Sequence, residues 1–424
     1  MATWQSRYLS VSPGSPRYAR DDDCYRYVGV SMKTVGIICE YNPFHLGHFY
    51  HIEKTKEILG EDTCVICIMS GNFVQRGDFA IFNKHARAKM AVLSGADIVI
   101  ELPVPYTLLS AGGFAKAGVY ILESLGVCDY ISFGSESGSI DDLKNAAEVI
   151  ITDEAHMYIK DGLTAGLSYA SAQQQAADCL LGDSARIFNT PNNTLAIEYI
   201  KALSEIKSGI KPVTVLRTGG EHDGDTGYSA TAVRKSLLQG NIPVAQMPGA
   251  AVAVSMEEMV LKRGPVAIHD AEQAILSRLR AITDFSQIPG GADGLDRRFL
   301  KYAGKMSTIN EILACIKTKR YAMSRIRRML MCAVLGISND DIKNMPAYIR
   351  ILAMNKNRTQ TLRKLTKKAK LPVITKPASV YKHDKQVLKA FKLEAAATDF
   401  YALAYSKEEN RTGGGEWTQS PVIC

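Results

Sequence analysis

Glu40-Tyr41-Asn42-Pro43-Phe44-His45-Leu46-Gly47-His48 follows directly on the apolar run Val35-Gly36-Ile37-Ile38-Cys39 and precedes a helical pattern. The apolar run reads as a buried parallel strand. Pro43 stops it from pairing further, and Gly47 lets the chain turn into a helix whose first N–H groups are unpaired. Strand, loop and helix in this order make an anion site, because free amide hydrogens and the helix dipole both favour negative charge. His45 and His48, three residues apart, place two imidazoles beside the same anion. Such groups neutralise charge developing on an α-phosphate and its departing pyrophosphate without a covalent intermediate. His-x-Gly-His is a short pattern, and two surface histidines at a helix start would look the same. Its position after the first strong strand is what gives it weight.

A chain of 424 residues, 46% of them hydrophobic, exceeds one ordinary core and points to two domains. Nine cysteines are scattered, several within apolar runs, which fits a reducing cytoplasm rather than a disulfide framework. Cys64 and Cys67 are spaced like a zinc or redox pair, but they lie in a strand pattern where residues three apart face opposite sides, and no second pair follows. No metal site built from side chains is expected. No run is long and apolar enough to span a membrane, and the first thirty residues lack a signal-peptide core, so the expectation is a soluble cytoplasmic protein with no membrane partner.

From Thr34 to about Gly240 short apolar runs alternate with helical patterns, as a parallel sheet with crossover helices requires. Strands are expected at Thr34 to Cys39, Cys64 to Met69, Ile98 to Glu101, Tyr130 to Phe133 and Val213 to Leu216. After about Met247 amphipathic helical patterns dominate, including Asp270 to Ile282, Thr308 to Ile316 and Ser324 to Leu335. The expected organisation is an unstructured extension over 1–31, an α/β catalytic domain over 32–245, a mainly helical basic domain over 246–405 and a disordered tail over 406–424, the last on its Gly413-Gly414-Gly415 run. Between Asn355 and Lys392 twelve lysines and arginines stand against a single acid, Asp384, so most of the excess charge behind the net +8 lies here.

Ser229-Ala230-Thr231-Ala232-Val233-Arg234 opens another helix, with Ser229 or Thr231 able to cap it and Arg234 one turn in. Hydroxyls, free N–H groups and an arginine together suit the outer phosphates of a nucleoside triphosphate. Taken alone the segment is an ordinary helix start; paired with His-x-Gly-His it has the two-motif layout of the nucleotidyltransferase superfamily. Lys305-Met306-Ser307-Thr308 imitates a different phosphate loop but falls in the helical region and reads as a helix terminus. Ser70 to Asp78 follows the second strand, and there Arg76, with Lys84 and Arg87 on the next helix, could hold a carboxylate or phosphate of the reacting acid or its acceptor, Asp78 orienting one of them or taking a proton. A solvated charged loop is the competing reading. Gly134, Asn192, Asn193 and Arg217 stand after strands or at a helix start and suit adenine, ribose or phosphate contacts. His222-Asp223 reads equally as a substrate-side pair or a turn. Lys319-Arg320-Tyr321, followed by Arg325 and Arg328, sets an aromatic among cations, a mixture suited to unpaired RNA bases, and Lys367 with Lys368 adds a second basic segment. Either segment by itself reads equally as a solvated helix face.

Taken together, Val35 to His48, the Ser70 to Asp78 loop, Ser229 to Arg234 and Lys317 to Tyr321 resemble the bacterial tRNA(Met) cytidine acetate ligases, from about Met32 to Tyr405. The resemblance implies a Rossmann-like nucleotidyltransferase domain followed by a tRNA-binding one. It also implies a two-step reaction: ATP and acetate give acetyl-adenylate, and the acetyl group passes to N4 of the wobble cytidine of elongator tRNA(Met). ATP would be held by Ile38, Glu40, Tyr41, Asn42, Pro43, Phe44, His45, Gly47 and His48, with Arg234, Ser229 and Thr231 on its outer phosphates and magnesium bridging phosphate oxygens. A rival expectation keeps the fold but makes the acceptor a small phosphate or acid, as in other adenylyltransferases.

Overall fold

The computed structural model describes residues 32–217 and 230–424; the extension over 1–31, Ser229 and the His222-Asp223 pair lie outside them. Lys33–Cys424 forms one compact unit. Strands β1 (Thr34–Cys39), β2 (Cys64–Ser70), β5 (Ile98–Leu102), β6 (Tyr130–Ser135) and β7 (Lys211–Leu216) lie in the order β5-β2-β1-β6-β7, all parallel. A short antiparallel hairpin, β3 (Phe73–Val74) with β4 (Asp78–Phe79), stands off this sheet. All five expected strands are present. β1 and β2 are buried on both faces, which is why they read as continuous apolar runs without alternation.

The chain leaves β1 towards β2 on one side and comes back to β6 on the other. The carboxyl end of β1 is therefore a topological switch point, where an open parallel sheet leaves a crevice for a ligand. Glu40 to His48 occupies it. Helix α1 (Leu46–Leu59) leads away from the crevice, and helix α2 (Lys84–Leu93) follows the hairpin.

Beyond residue 245 most elements are helical, but the boundary expected there separates compositions, not packing. Phe73, Phe79, Val104 and Leu108 share one core with Ile275, Phe299, Ile326 and Tyr401. β8 (Ile349–Met354) enters the main sheet antiparallel to β5, with the short β9 (Val373–Ile374) beside it. The tail requires a correction. Residues 406–424 are ordered: helix Gly415–Thr418 buries Glu416, Trp417 packs edge-on against Phe391, and β10 (Val422–Ile423) pairs with β8. The glycine run misled because a buried carboxylate and a strand of two residues leave almost no signal in composition.

Candidate active site

The Glu40 to His48 loop is held from beneath by α2. Arg87, fully buried, donates through Nη1 to the Glu40 carbonyl, through Nη2 to the carbonyls of Ser70 (3.0 Å) and Gly71, and through Nε to that of Phe82 (3.0 Å). One guanidinium thus ties together the ends of β1 and β2. The Asn42 side chain accepts from the N–H of Ile81 (2.8 Å), and the Glu40 carboxylate accepts from the N–H of Gln75 (2.5 Å), which fixes the loop to the hairpin. Burial raises the Glu40 carboxyl, opposed by the Gln75 hydrogen bond and by Arg87, Arg76 and Arg234. Ile38, Tyr41, Pro43 and Phe44 are buried, so the loop exposes backbone there and not their side chains.

His45 caps α1 with its ring. Its Nδ1 accepts from the N–H of Gly47 (3.0 Å), and Nδ1 of His48 accepts from the N–H of His45 (3.3 Å). The two rings stack with centroids 3.7 Å apart. Gly47 is required by proximity, since a Cβ there would lie 2.9 Å from Cε1 of His45. Burial, then Arg217 and Arg234, push His45 down to about 4; burial, then His45 and Arg217, hold His48 well below the usual value. Both are neutral at neutral pH. Because each Nδ1 accepts, each proton sits on Nε2, and both rings are set as donors to an anion.

A third imidazole escaped the sequence reading. His51 lies one turn further along α1, its Nε2 3.0 Å from Oγ of Ser132 on β6. Thr55 spends its hydroxyl hydrogen on the His51 carbonyl (2.7 Å), so Ser132 must donate to Thr55 (2.7 Å), and His51 must donate to Ser132. Burial and then Arg217 lower His51 to about 4. The spacing of His45, His48 and His51 was the available signal.

Arg234, on the helix Ala230–Leu238, reaches the first motif directly: Nη1 donates to the Asn42 carbonyl (2.9 Å) and Nη2 to Oγ1 of Thr231 (3.1 Å). Arg217 leaves the end of β7, its N–H on the Ser135 carbonyl (3.0 Å), and a Cβ at Gly134 would sit 3.2 Å from its Cγ. The fold therefore gathers His45, His48, Arg217, Arg234 and Thr231 around the switch point. Asn192 and Asn193 come to the end of β6 but are engaged by Glu136, whose carboxylate accepts from Asn192 Nδ2 (2.5 Å) and the N–H of Asn193 (2.9 Å), while Asn193 Oδ1 accepts from the N–H groups of Glu136 and Ser137.

Several expected substrate contacts are corrected. Lys84 is wholly buried, its ammonium 2.6 Å from Glu101, 2.7 Å from Glu416 and 3.4 Å from Glu394, so it cannot meet a substrate. Arg87 is equally committed to backbone carbonyls. Tyr321 is buried and donates to the Asp293 carbonyl (2.5 Å), so no base stacks on it. Arg325 is occupied by the carbonyls of Gly290 and Ala292 and the carboxylate of Asp293. Burial lowers the Arg328 guanidinium, which is only partly accessible. Arg76, Lys319, Arg320, Lys367 and Lys368 are exposed. Asp78 is tied to Arg327 (3.1 Å). Thr308 caps the helix Ile309–Ile316 in a reciprocal pair with Glu311, which disposes of the Lys305 to Thr308 decoy. Among the described residues no group of three His, Cys, Asp or Glu side chains could hold a metal ion, and no helix is long and apolar enough to cross a membrane.

A family model described as HIGH Nucleotidyl Transferase matches residues 32–415. The tRNA(Met) cytidine acetate ligase of Acetivibrio thermocellus is 38% identical over 92% of this chain and 100% of its own length. That of Kosmotoga olearia is 37% identical over 82% of this chain and 86% of its own. The crystal structure of Thermotoga maritima TmcAL bound with alpha-thio ATP superposes with a TM-score of 0.86 at 32% identity, covering 92% of this chain and 99% of that one. With the paired imidazoles and Arg234 in place at the switch point, the chain belongs to the tRNA(Met) cytidine acetate ligase family of HIGH nucleotidyl transferases.

Proposed function

We propose that this protein activates acetate with ATP as acetyl-adenylate and transfers the acetyl group to N4 of the wobble cytidine of elongator tRNA(Met), in the cytoplasm. The observation that carries the reading is the stacked His45–His48 pair, protonated on Nε2 and joined through Asn42 to Arg234, in a chain of this family. As the acetate oxygen attacks the α-phosphorus, the two Nε2–H groups donate to phosphate oxygens and Arg234 takes charge building on the leaving pyrophosphate. The rings act as neutral donors, since a second proton on either Nδ1 would break the backbone hydrogen bond that Nδ1 accepts. No group of three His, Cys, Asp or Glu side chains among the described residues could hold Mg2+, which would be carried by the nucleotide's phosphates and would neutralise their charge. Lys319, Arg320, Lys367 and Lys368, exposed and basic, are the proposed contacts to the RNA backbone.

Elongator tRNA(Met) transcript is incubated with the protein, ATP, magnesium and isotopically labelled acetate, then digested and read by mass spectrometry. Label on the anticodon cytidine is the expected result. Acetate-independent pyrophosphate release with unlabelled RNA would sink the reading in favour of an adenylyltransferase with another acceptor.

A further inference from the structure

Asp78 and Arg327 meet where the β3–β4 hairpin lies on the helix Met323–Leu335. Arg327 Nη1 is 3.1 Å from Asp78 Oδ2, while Asp78 Oδ1 accepts from the N–H of Phe79 (2.8 Å). The approach is fixed by Gly77, at φ 75: a Cβ there would fall 2.4 Å from the Arg327 carbonyl carbon. Both charged side chains stay about one-third exposed, at 35% and 33%. The charged groups facing Asp78 are Arg327, Arg234 on the helix Ala230–Leu238 and His269 on the turn Ile268–Ala271. Arg234 is also hydrogen-bonded to the Asn42 carbonyl in the ATP motif, so one arginine links Asp78 to the adenylation site. Its partner is a cation that a backbone phosphate can claim.

Resting on the acetate ligase reading, we propose that Arg327 gates Asp78: a phosphate of the bound RNA takes the guanidinium, and the freed carboxylate accepts the proton of the cytosine amine during acetyl transfer. The amine nitrogen forms its bond to the acetyl carbon, the carbon–oxygen bond to AMP breaks, and one N–H proton passes to Asp78, giving N-acetylcytidine, AMP and a neutral carboxyl. Exchanging one anion for another keeps the Arg327 charge compensated. Until RNA arrives the carboxylate is engaged, so it does not activate water against the adenylate. Asp78 is the catalytic residue and Arg327 a positioning residue.

The test uses the full chain with Arg327→Gln, Arg327→Lys and Asp78→Asn. Acetyl transfer to transcript is normalised to acetate-dependent ATP–pyrophosphate exchange in the same preparation, and AMP release is followed without RNA. Asp78→Asn should lower normalised transfer about a hundredfold or more, the scale of lost general-base catalysis. Arg327→Gln should raise KM for the transcript about tenfold, as loss of a charged hydrogen bond does. It should also increase RNA-independent AMP release and move the acid limb of kcat/KM for the transcript, which reports the RNA-free enzyme, to higher pH, since burial raises the Asp78 carboxyl and Arg327 opposes that rise. Arg327→Lys should restore the pH profile. Normalised transfer at wild-type level in Asp78→Asn, or an unmoved acid limb in Arg327→Gln, overturns the proposal. Absence of acetate-dependent exchange in the wild type would instead reject the ligase reading beneath it.

Discussion

The carboxylate of Glu416 lies 2.7 Å from the ammonium of Lys84, and neither side chain is accessible to water. Arg350 closes the other side at 3.2 Å, and Glu101 and Glu394 complete a cluster of three carboxylates around two cations. The charges do not cancel. Burial raises the Glu101 carboxyl, with Glu394 adding to the rise, whereas in Glu416 the effect of burial is more than reversed by Lys84, His85 and Arg350, which hold it at about 2. The last segment of the chain is thereby locked to α2, the helix whose Arg87 grips the ATP loop.

Replacing Glu416 by Ala should destabilise the protein by about 3–5 kcal/mol, the usual result of leaving a buried charge unpaired. The pH dependence has a definite sign. The folded pKa of Glu416 lies below its ordinary 4.5, so its contribution is present above that value and lost as pH falls towards 2. Chemical denaturation of wild type and Glu416→Gln at a series of pH values should show the stability gap closing over that window. A gap that stays constant would mean the pair is not formed.

His45 should titrate near 4 in the ligand-free protein, well under the ordinary 6.5, and its midpoint should rise when nucleotide binds. Since the fold prefers the neutral ring, this residue costs stability as pH drops below 6.5. Proton NMR of the imidazole Cε1–H, with and without a non-hydrolysable ATP analogue, measures both midpoints. A free-protein midpoint at 6.5 would refute the buried, cation-flanked geometry.

Gly47→Ala forces the His45 ring out of its cap, because the new methyl would sit 2.9 Å from Cε1. The His45–Gly47 hydrogen bond is lost and the Nε2 donors lose alignment, so ATP affinity should fall about tenfold or more for the charged contacts disrupted. Titration calorimetry with ATP reads this, with thermal unfolding as the check on folding. Wild-type affinity would show that the ring position is immaterial.

On the RNA side, if the proposed contacts hold, Lys319→Glu combined with Arg320→Glu should weaken tRNA binding and flatten its salt dependence, because two exposed cations become repulsive to phosphate. Tyr321→Phe should leave tRNA affinity unaltered and cost about 1 kcal/mol of stability through its lost hydrogen bond to Asp293. Filter binding across a salt series compares the variants. A folded Tyr321→Leu variant, which lacks the ring, that binds RNA poorly would restore the stacking role that burial denies.

The strands were legible because burial on both faces leaves uninterrupted apolar runs such as Cys64 to Met69, and the His-x-Gly-His junction because a strand end, a proline and a glycine leave local marks. Lys84, Arg87 and Tyr321 were misjudged for a common reason: a cation or a phenol has the same letter whether water or a buried partner satisfies it. Glu101, Glu394 and Glu416, the partners of Lys84, lie up to 332 positions away, and no periodicity reports such a pairing.

Short-range patterning of apolar runs, turn residues and imidazoles was enough to place the parallel strands and the anion-site junction at the end of β1, and the quoted motifs carried the family resemblance. That Arg234 reaches Asn42, that Asp78 is held by Arg327 and that the tail seals a buried charge cluster emerged with the folded chain. Each of those joins residues distant along the chain, and the strength of a charged contact is set by the burial and orientation that folding imposes on both partners.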